Sequence, residues 1–428
     1  MKPAGSSHDT AIAIGIDVGT SGVRAAAVNA DGACLAFAQQ HFETSEDARS
    51  PMRWLAGVRA CLHDLTQQIP LATVQGVAVD GTSGTLLAVD ANGAPVAGAL
   101  MYNEPCPDRQ ILETISRHAP ANSPALGTNS ALARAIHLSR RPGVARILHQ
   151  ADWIALQLAP DHLATDENNA LKTGYDLELE VWPDWIEAAD MDRALLPEVH
   201  RAGDPLGLVG RTARDLGLPA HCRLHAGTTD GCAAFLATGA NRIGDGVTSL
   251  GSTLVLKLAS DKPLNVGRHG IYSHRIRDFW LVGGASNSGG GVIRALIGDD
   301  RLAELTGRLR PHEPTGLDYY PLIRPGERFP INDPELPPRL QPRPSDDAVY
   351  FQAILEGITR VEQLGYRRLQ ELGAPTLKTI RTVGGGSHNP AWTELRQQAL
   401  GVTFLGSQST EAAVGTASLA LPLAARSS

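Results

Sequence analysis

Aromatic residues are scarce: six Trp, seven Tyr and seven Phe make up 5% of the 428 residues. Extended stacking platforms for oligosaccharides or nucleic-acid bases are therefore not expected in number. Cysteine is sparse too. Cys34, Cys61, Cys106, Cys222 and Cys232 follow no metal-ligand rhythm, and five in a long chain do not form a disulfide scaffold. His221, Cys222 and His225 lack a fourth partner at zinc-site spacing. No run of 18 apolar residues exists, so no membrane span is expected. The segment Met1 to Thr10 is polar and lacks the apolar stretch of a secretory signal, which makes the cytoplasm the expected compartment. Lys and Arg total 38 against 45 Asp and Glu, and no basic block stands out, so nucleic acid is not an expected partner. The stretch Arg134 to Arg146, broken by Ala, Leu and Pro, reads as a solvated helix and loop. A net charge of -7 still permits a small anionic ligand, because local geometry outweighs net charge.

What the chain does have is glycine, 44 of them, many in clusters with Thr and Ser. Ala11 to Val18 is an apolar run ending in Asp17 and Val18, followed at once by Gly19-Thr20-Ser21-Gly22. Val23 to Val28 is a second apolar run, closed by the hairpin signal Asp31-Gly32. The chain thus opens as strand, turn, strand, turn, strand. That order differs from the strand, glycine loop, helix order of a dinucleotide site. No GxxxxGK[ST] motif is present. A similar phrase returns at Val74 to Gly93, where Asp80-Gly81-Thr82-Ser83-Gly84 links two apolar runs. A third such turn lies at Gly244 to Ser252. Met52 to Ile69 and Val349 to Leu372 carry helical apolar stripes, and Thr410 to Leu421 reads as a small-residue helix stopped by Pro422. Pro311 to Pro344 reads as a long loop or extended rim.

Three constellations can carry chemistry. Asp17 stands where a strand meets a turn whose N–H groups at Gly19, Thr20 and Ser21 can cradle a phosphate. A carboxylate beside phosphates makes sense through a divalent cation; the plainer alternative is that Asp17 closes a turn. Arg24 either supports this turn or is a half-exposed sheet residue. Asp230 follows Gly227-Thr228-Thr229 and opens an apolar helical stretch. There the helix dipole favours its ionised form, able to accept a hydroxyl proton, or it is an ordinary first-turn acid. Gly384-Gly385-Gly386 follows a strand-like run and permits close approach of a flat ring or a phosphate. His388, beside Asn389-Pro390, reads as a turn residue. Ser83 and Ser252 lie outside any GxSxG elbow.

In order along the chain, IGIDVGTSGVRA (Ile14 to Ala25), DGTSGTLLAVDANG (Asp80 to Gly93), MYNE (Met101 to Glu104), TGYD (Thr173 to Asp176), HAGTTDGCAAF (His225 to Phe235), GDGVTSLGSTL (Gly244 to Leu254), VGGGSHNPAW (Val383 to Trp392) and STEAAVGTA (Ser409 to Ala417) form a set. This set resembles the FGGY carbohydrate kinase family over nearly the whole chain. The resemblance implies an α/β fold of two ribonuclease-H-like domains, of the actin/Hsp70/sugar-kinase kind, flanking a cleft. The sugar-binding domain would span 10–237, possibly completed by 410–428, and the nucleotide-binding domain 238–409. Carried over residue by residue, Asp17 matches the acid of the metal-bound phosphate and Asp230 the base that deprotonates the sugar hydroxyl. Gly19, Thr20 and Ser21 match one phosphate turn; Gly251, Ser252 and Thr253 match the other. Gly385, Gly386 and Asn389 match the adenine side. Ser21, Gly81, Ser83 and Asp230 are the implied sugar contacts. ATP and a magnesium ion (Mg²⁺), held at Asp17, are the implied cosubstrate and metal.

The resemblance also narrows the sugar. Many xylulose kinases have a Gln-Met-His-like sequence where this chain has Asp80 to Gly84, and glycerol kinases a Gln-Arg-Glu-like one. The usual Trp-Asn-Asp followed by Arg becomes Tyr102-Asn103-Glu104 with Pro105 next. The compact chain is similar to the cyanobacterial and plant group first called xylulose kinase-like and better described as D-ribulose kinases. D-Ribulose phosphorylated at O5 is the expected reaction. D-Xylulose, L-ribulose or a pentitol are the alternatives, as are an actin-like ATPase and a sugar-binding protein without turnover. The expected partners are a small sugar and a nucleotide, with a monomer or homodimer as the assembly.

Overall fold

The computed structural model describes residue 10 and residues 12–421. Ala11, the expected start of the first strand, the polar N-terminal segment before Thr10, and Pro422 lie outside the described residues. The chain divides into two compact units. The first runs to Gly239 and takes in His274–Asp278 and the chain from Glu411; the second holds Ala240–Ser273 and Phe279–Thr410. No sequence signal marks His274–Asp278 as part of the first unit.

The first unit is built on a sheet of β1 (Ala13–Val18), β2 (Gly22–Val28), β3 (Cys34–His41), β4 (Gly76–Gly81), β5 (Pro205–Leu208) and β6 (Arg223–Thr229). Their order is β3-β2-β1-β4-β6-β5. The β1–β2–β3 meander is antiparallel, whereas β4 runs parallel to β1 and to β6. Alternation along β1 divides its side chains between two faces. Ile14, Ile16 and Val18 join Val23 and Ala25 in a core covered by Trp54, Val58, Leu62 and Leu65 of the helix Pro51–Gln68. The other face of β1 presents Ala13, Gly15 and Asp17. The small-residue helix Ala412–Leu419 packs there and against the helix Asp230–Ala237.

Two expectations change. The Asp80–Gly84 phrase is not a second copy of the first hairpin. Leu86–Val89 leaves the main sheet and pairs with Arg146–His149 in a separate two-stranded sheet. The stretch from Arg134 is not wholly solvated. Arg134 is buried, and its guanidinium donates to the carbonyls of Gly84 (2.7 Å), Glu104 (2.8 Å) and Asn129 (3.1 Å). Those carbonyls lie in loops that need a donor, which outweighs the cost of taking the guanidinium out of water.

The second unit repeats the strand logic in β7 (Asp245–Leu250), β8 (Leu254–Ser260), β9 (Phe279–Ser286), β10 (Thr379–Val383) and β11 (Thr403–Phe404). β7, β8 and β9 form an antiparallel meander; β10 runs parallel to β7, and β11 parallel to β10. The long helix Asp347–Glu371 lays Phe351, Ile354, Leu355, Ile358 and Val361 into this unit's core. The Pro-rich stretch before it is irregular but seated, with Tyr319, Tyr320, Leu322 and Phe329 buried.

The approach of the Ala412–Leu419 helix depends on Gly15. A Cβ there would lie 1.9 Å from the carbonyl oxygen of Ala413. Gly15→Ala should destabilise the protein by about 1–3 kcal/mol through overpacking. A lowered urea midpoint, followed by Trp fluorescence, checks this; an unchanged midpoint contradicts the packing.

Candidate active site

Three strands of the first sheet end side by side. Val18 pairs with Gly81, and Gly81 with Thr229. The segments beginning at Gly19, Thr82 and Asp230 therefore leave the same end of a parallel set. This is where α/β sheets bind their ligands.

Asp17 and Asp80 face each other in register on β1 and β4. Asp17 is 5% exposed and Asp80 fully buried. Arg24 Nη1 donates to Asp17 Oδ2 (3.2 Å), and Arg24 Nη2 donates to Ser21 Oγ (3.2 Å). Arg24 thus ties the acid to the turn. Thr416 Oγ1, from the Ala412–Leu419 helix, donates to Asp80 Oδ2, and the Asp80 and Asp17 carboxyls are hydrogen-bonded to each other. Burial, followed by the charge of Asp17, holds the Asp80 carboxyl well above its ordinary 3.8. Burial likewise raises Asp17, against the hydrogen bond with Asp80 and the pull of Arg24. The Asp230 charge acts on both in the same upward direction. The three acids share one electrostatic neighbourhood, and Asp80 is the one pushed furthest toward its neutral form.

Asp230 is the first residue of the helix Asp230–Ala237, and its Oδ1 accepts from Gly231 N (2.7 Å). Thr20 and Ser21 are exposed at the β1–β2 turn. The Gly19 N–H donates to Gly22 O (2.9 Å) within the turn. Gly81 is a buried strand end against Gln150, and Ser83 is half-buried in the following turn.

In the second unit, Gly251, Ser252 and Thr253 form the turn between β7 and β8. Its carbonyls are tied down: Gly290 N donates to Gly251 O (2.8 Å) and Gly291 N to Ser252 O (2.9 Å). A cavity of about 650 Å³ is lined by Gly251, Ser252, Gly385, Gly386 and Asn389. Thr253 is not among its lining residues, whereas His388 and Arg294 are. Asn389 caps the helix Pro390–Leu400 through Oδ1, which accepts from Trp392 N (3.0 Å), and its Nδ2 donates to Thr306 Oγ1 (3.1 Å). The cavity mixes apolar walls with a few convergent polar groups, as small-ligand sites do.

Sequence reasoning quoted Asp80 but gave it no part. The signal was there: Asp80-Gly81-Thr82-Ser83-Gly84 nearly repeats Asp17-Val18-Gly19-Thr20-Ser21-Gly22, and repeated phrases on neighbouring strands place repeated acids together. Thr416 and Gln150 carried no local signal.

Two family models match the chain. One, described as the N-terminal domain of the FGGY family of carbohydrate kinases, covers residues 12–123. The other, its C-terminal domain, covers 246–423. A xylulose kinase of Lactococcus lactis subsp. lactis is 24% identical, over 88% of this chain and 80% of its own. An L-fuculokinase of Salmonella typhi is 24% identical, over 94% and 90%. A solved xylulose kinase from Rhodospirillum rubrum superposes with a TM-score of 0.81 at 21% identity, over 95% of this chain and 88% of that one. A structure titled as a xyloylose kinase from Brucella ovis gives a TM-score of 0.85 at 20% identity, over 97% and 91%. The fold is the two-domain fold of the sugar kinases, related to actin and Hsp70.

The raised Asp80 carboxyl has a consequence for stability. Between 3.8 and its folded value, the unfolded chain releases a proton that the folded chain keeps, so stability falls as pH rises through this window. One such proton contributes a slope of about 1.4 kcal/mol per pH unit at most. Asp80→Asn should make the decline above pH 4 shallower, as urea unfolding across pH would register. An unchanged slope contradicts a protonated Asp80.

Proposed function

The chain belongs to the FGGY family of carbohydrate kinases, and from that premise we propose that its acceptor is D-ribulose, phosphorylated at O5 to give D-ribulose 5-phosphate and ADP. The coarser activity is ATP-dependent phosphoryl transfer to a sugar hydroxyl. The observation that carries the proposal is the position of Asp230, opening a helix beside Asp17 and Asp80 at the ends of parallel strands.

In this proposal Asp230 is the general base. The helix N-terminus favours its carboxylate, the form that accepts a proton. It takes the O5 proton as the oxygen attacks the γ-phosphorus, and ADP leaves with the bridging oxygen. Transfer is in line, and positioning with charge neutralisation supplies most of the acceleration. The second unit's cavity takes the nucleotide base between Gly385, Gly386 and Asn389. The Gly251–Thr253 turn meets phosphate oxygens.

A magnesium ion fits Asp17. Mg²⁺ is held by one or two carboxylates together with substrate phosphates rather than by a full protein cage, and no cluster of three acidic, His or Cys side chains able to hold a metal occurs among the described residues. Bound there, it would neutralise phosphate charge and lower the raised Asp17 carboxyl. Arg24, which donates to Asp17 Oδ2, would hold that carboxylate in place for the ion.

D-Ribulose is favoured over D-xylulose by the Asp80–Gly84 and Tyr102–Glu104 sequences and by the compact chain. D-Xylulose, its epimer at C3, is the second reading, since the curated relatives include xylulose kinases.

ADP release with Mg²⁺, ATP and individual ketoses, aldoses and polyols should give D-ribulose the highest kcat/KM. A D-xylulose preference, or turnover indifferent to sugar, contradicts the assignment. Asp230→Asn should lower sugar-dependent kcat about 10²- to 10⁴-fold while nucleotide binding persists. Full turnover in that variant removes the base assignment.

A further inference from the structure

The turn after β4 is pinned from one side by Gln150, the first residue of the helix Gln150–Leu158. Gln150 N donates to Thr85 O (3.1 Å), and Gln150 Oε1 accepts from Thr82 N (3.0 Å). The backbone N–H of Thr82 can only donate, so this contact fixes which end of the carboxamide is oxygen. The amide nitrogen must then point elsewhere. Gln150 is fully buried, yet Nε2 has no hydrogen-bond partner among the described residues. Ser83, one residue along the same turn, also has a buried Oγ without a partner there. Gly81 makes room for the arrangement, since a Cβ on it would lie 3.3 Å from Gln150 Oε1.

A buried amide N–H with no partner costs about 1–3 kcal/mol, and native structures rarely keep one without a use. Two such groups on one turn need an acceptor. This turn leaves β4, which lies between β1, the strand of Asp17, and β6, the strand before Asp230. Adjacent strands are about 4.8 Å apart. That span is the reach from the terminal hydroxyl of a pentose at Asp230 to an oxygen two or three carbons away.

We propose that the Gln150 carboxamide is a specificity-determining donor for the acceptor sugar. Its Nε2 donates to the O2 or O3 oxygen of a ketopentose, and Ser83 Oγ supplies the companion hydrogen bond. The proposal deepens the assignment of a sugar site to the first unit and rests on it. It also gives a reason for the missing His or Arg in the Asp80–Gly84 segment: a neutral amide from a neighbouring helix does the reading. O3 stands on C3, the centre at which D-ribulose and D-xylulose differ, and O2 on the carbon beside it, so Gln150 acts where the two sugars part.

Gln150→Glu separates recognition from clamping. The carboxylate keeps the acceptor for Thr82 N and nearly the same shape, but loses the Nε2 donor. Steady-state kinetics on the intact enzyme should show KM for D-ribulose raised about 10- to 100-fold, with a smaller change in kcat. The ratio of kcat/KM for D-ribulose to D-xylulose should shift. The buried carboxyl introduced near Asp80 should lower the melting temperature, while ATP affinity should stay in the wild-type range. Wild-type KM values for both sugars in a folded Gln150→Glu enzyme overturn the proposal and leave Gln150 as a clamp. If that variant does not fold, Ser83→Ala supplies the test: a KM raised about 10-fold supports the site, and an unchanged KM overturns it. Should the wild type prefer another sugar, the D-ribulose assignment fails, and the same KM shift on that sugar still decides the part played by Gln150. A wild-type enzyme that binds no sugar overturns both.

Discussion

Two carboxyls buried side by side set the terms for the first unit. Parallel pairing of β1 with β4 puts Asp17 opposite Asp80, and like charges at that separation do not both ionise in a buried site. The fold resolves the repulsion from three directions. Burial and the Asp17 charge push the Asp80 carboxyl toward its neutral form. Arg24 compensates the other while holding the neighbouring turn through Ser21. Thr416 donates to Asp80 from the far end of the chain. The last contact needs the Ala412–Leu419 helix to lie close on β1, which the missing side chain of Gly15 permits. The electrostatics of the site and the packing of the chain terminus are one problem with one solution.

The same arrangement shapes the chemistry. Burial pushes Asp80 further toward its neutral form than Asp17, and the charge of Asp230 raises both. Environment can divide labour in this way among identical side chains. The second unit works by other means. Its candidate ligand site is a cavity with glycine walls and a capped Asn389, where backbone approach and shape matter more than charge.

Much of this was legible in the sequence because it is local. The strands at Ile14, Val23 and Leu86 and the helices at Met52 and Val349 follow from periodicity, and each lies within two residues or so of its expected span. The glycine and hydroxyl turns were visible as composition. What escaped was long-range. Asp80 meets Asp17 because β4 inserts beside β1, a pairing hinted at only by the repeated Asp and Gly-Thr-Ser phrase. Arg134 looked like a surface cation because two of its three carbonyl acceptors, Gly84 and Glu104, come from distant loops. Glu362, inside the apolar stripe of the long helix, is fully buried because Arg396 grips it with two hydrogen bonds of 2.6 and 2.8 Å. The similar phrase at Val74 to Gly93 does not mark a second meander. The repeated meander starts at Asp245, with little sequence in common.

The account stands or falls on where the phosphoryl group goes. A ¹³C NMR spectrum of the product formed from D-ribulose and ATP reads this directly. Phosphorus coupling at C5 and C4 is the predicted result, because the proposed mechanism brings the sugar's terminal hydroxyl to Asp230. Coupling at C1 and C2, or release of inorganic phosphate with the sugar unchanged, would contradict it.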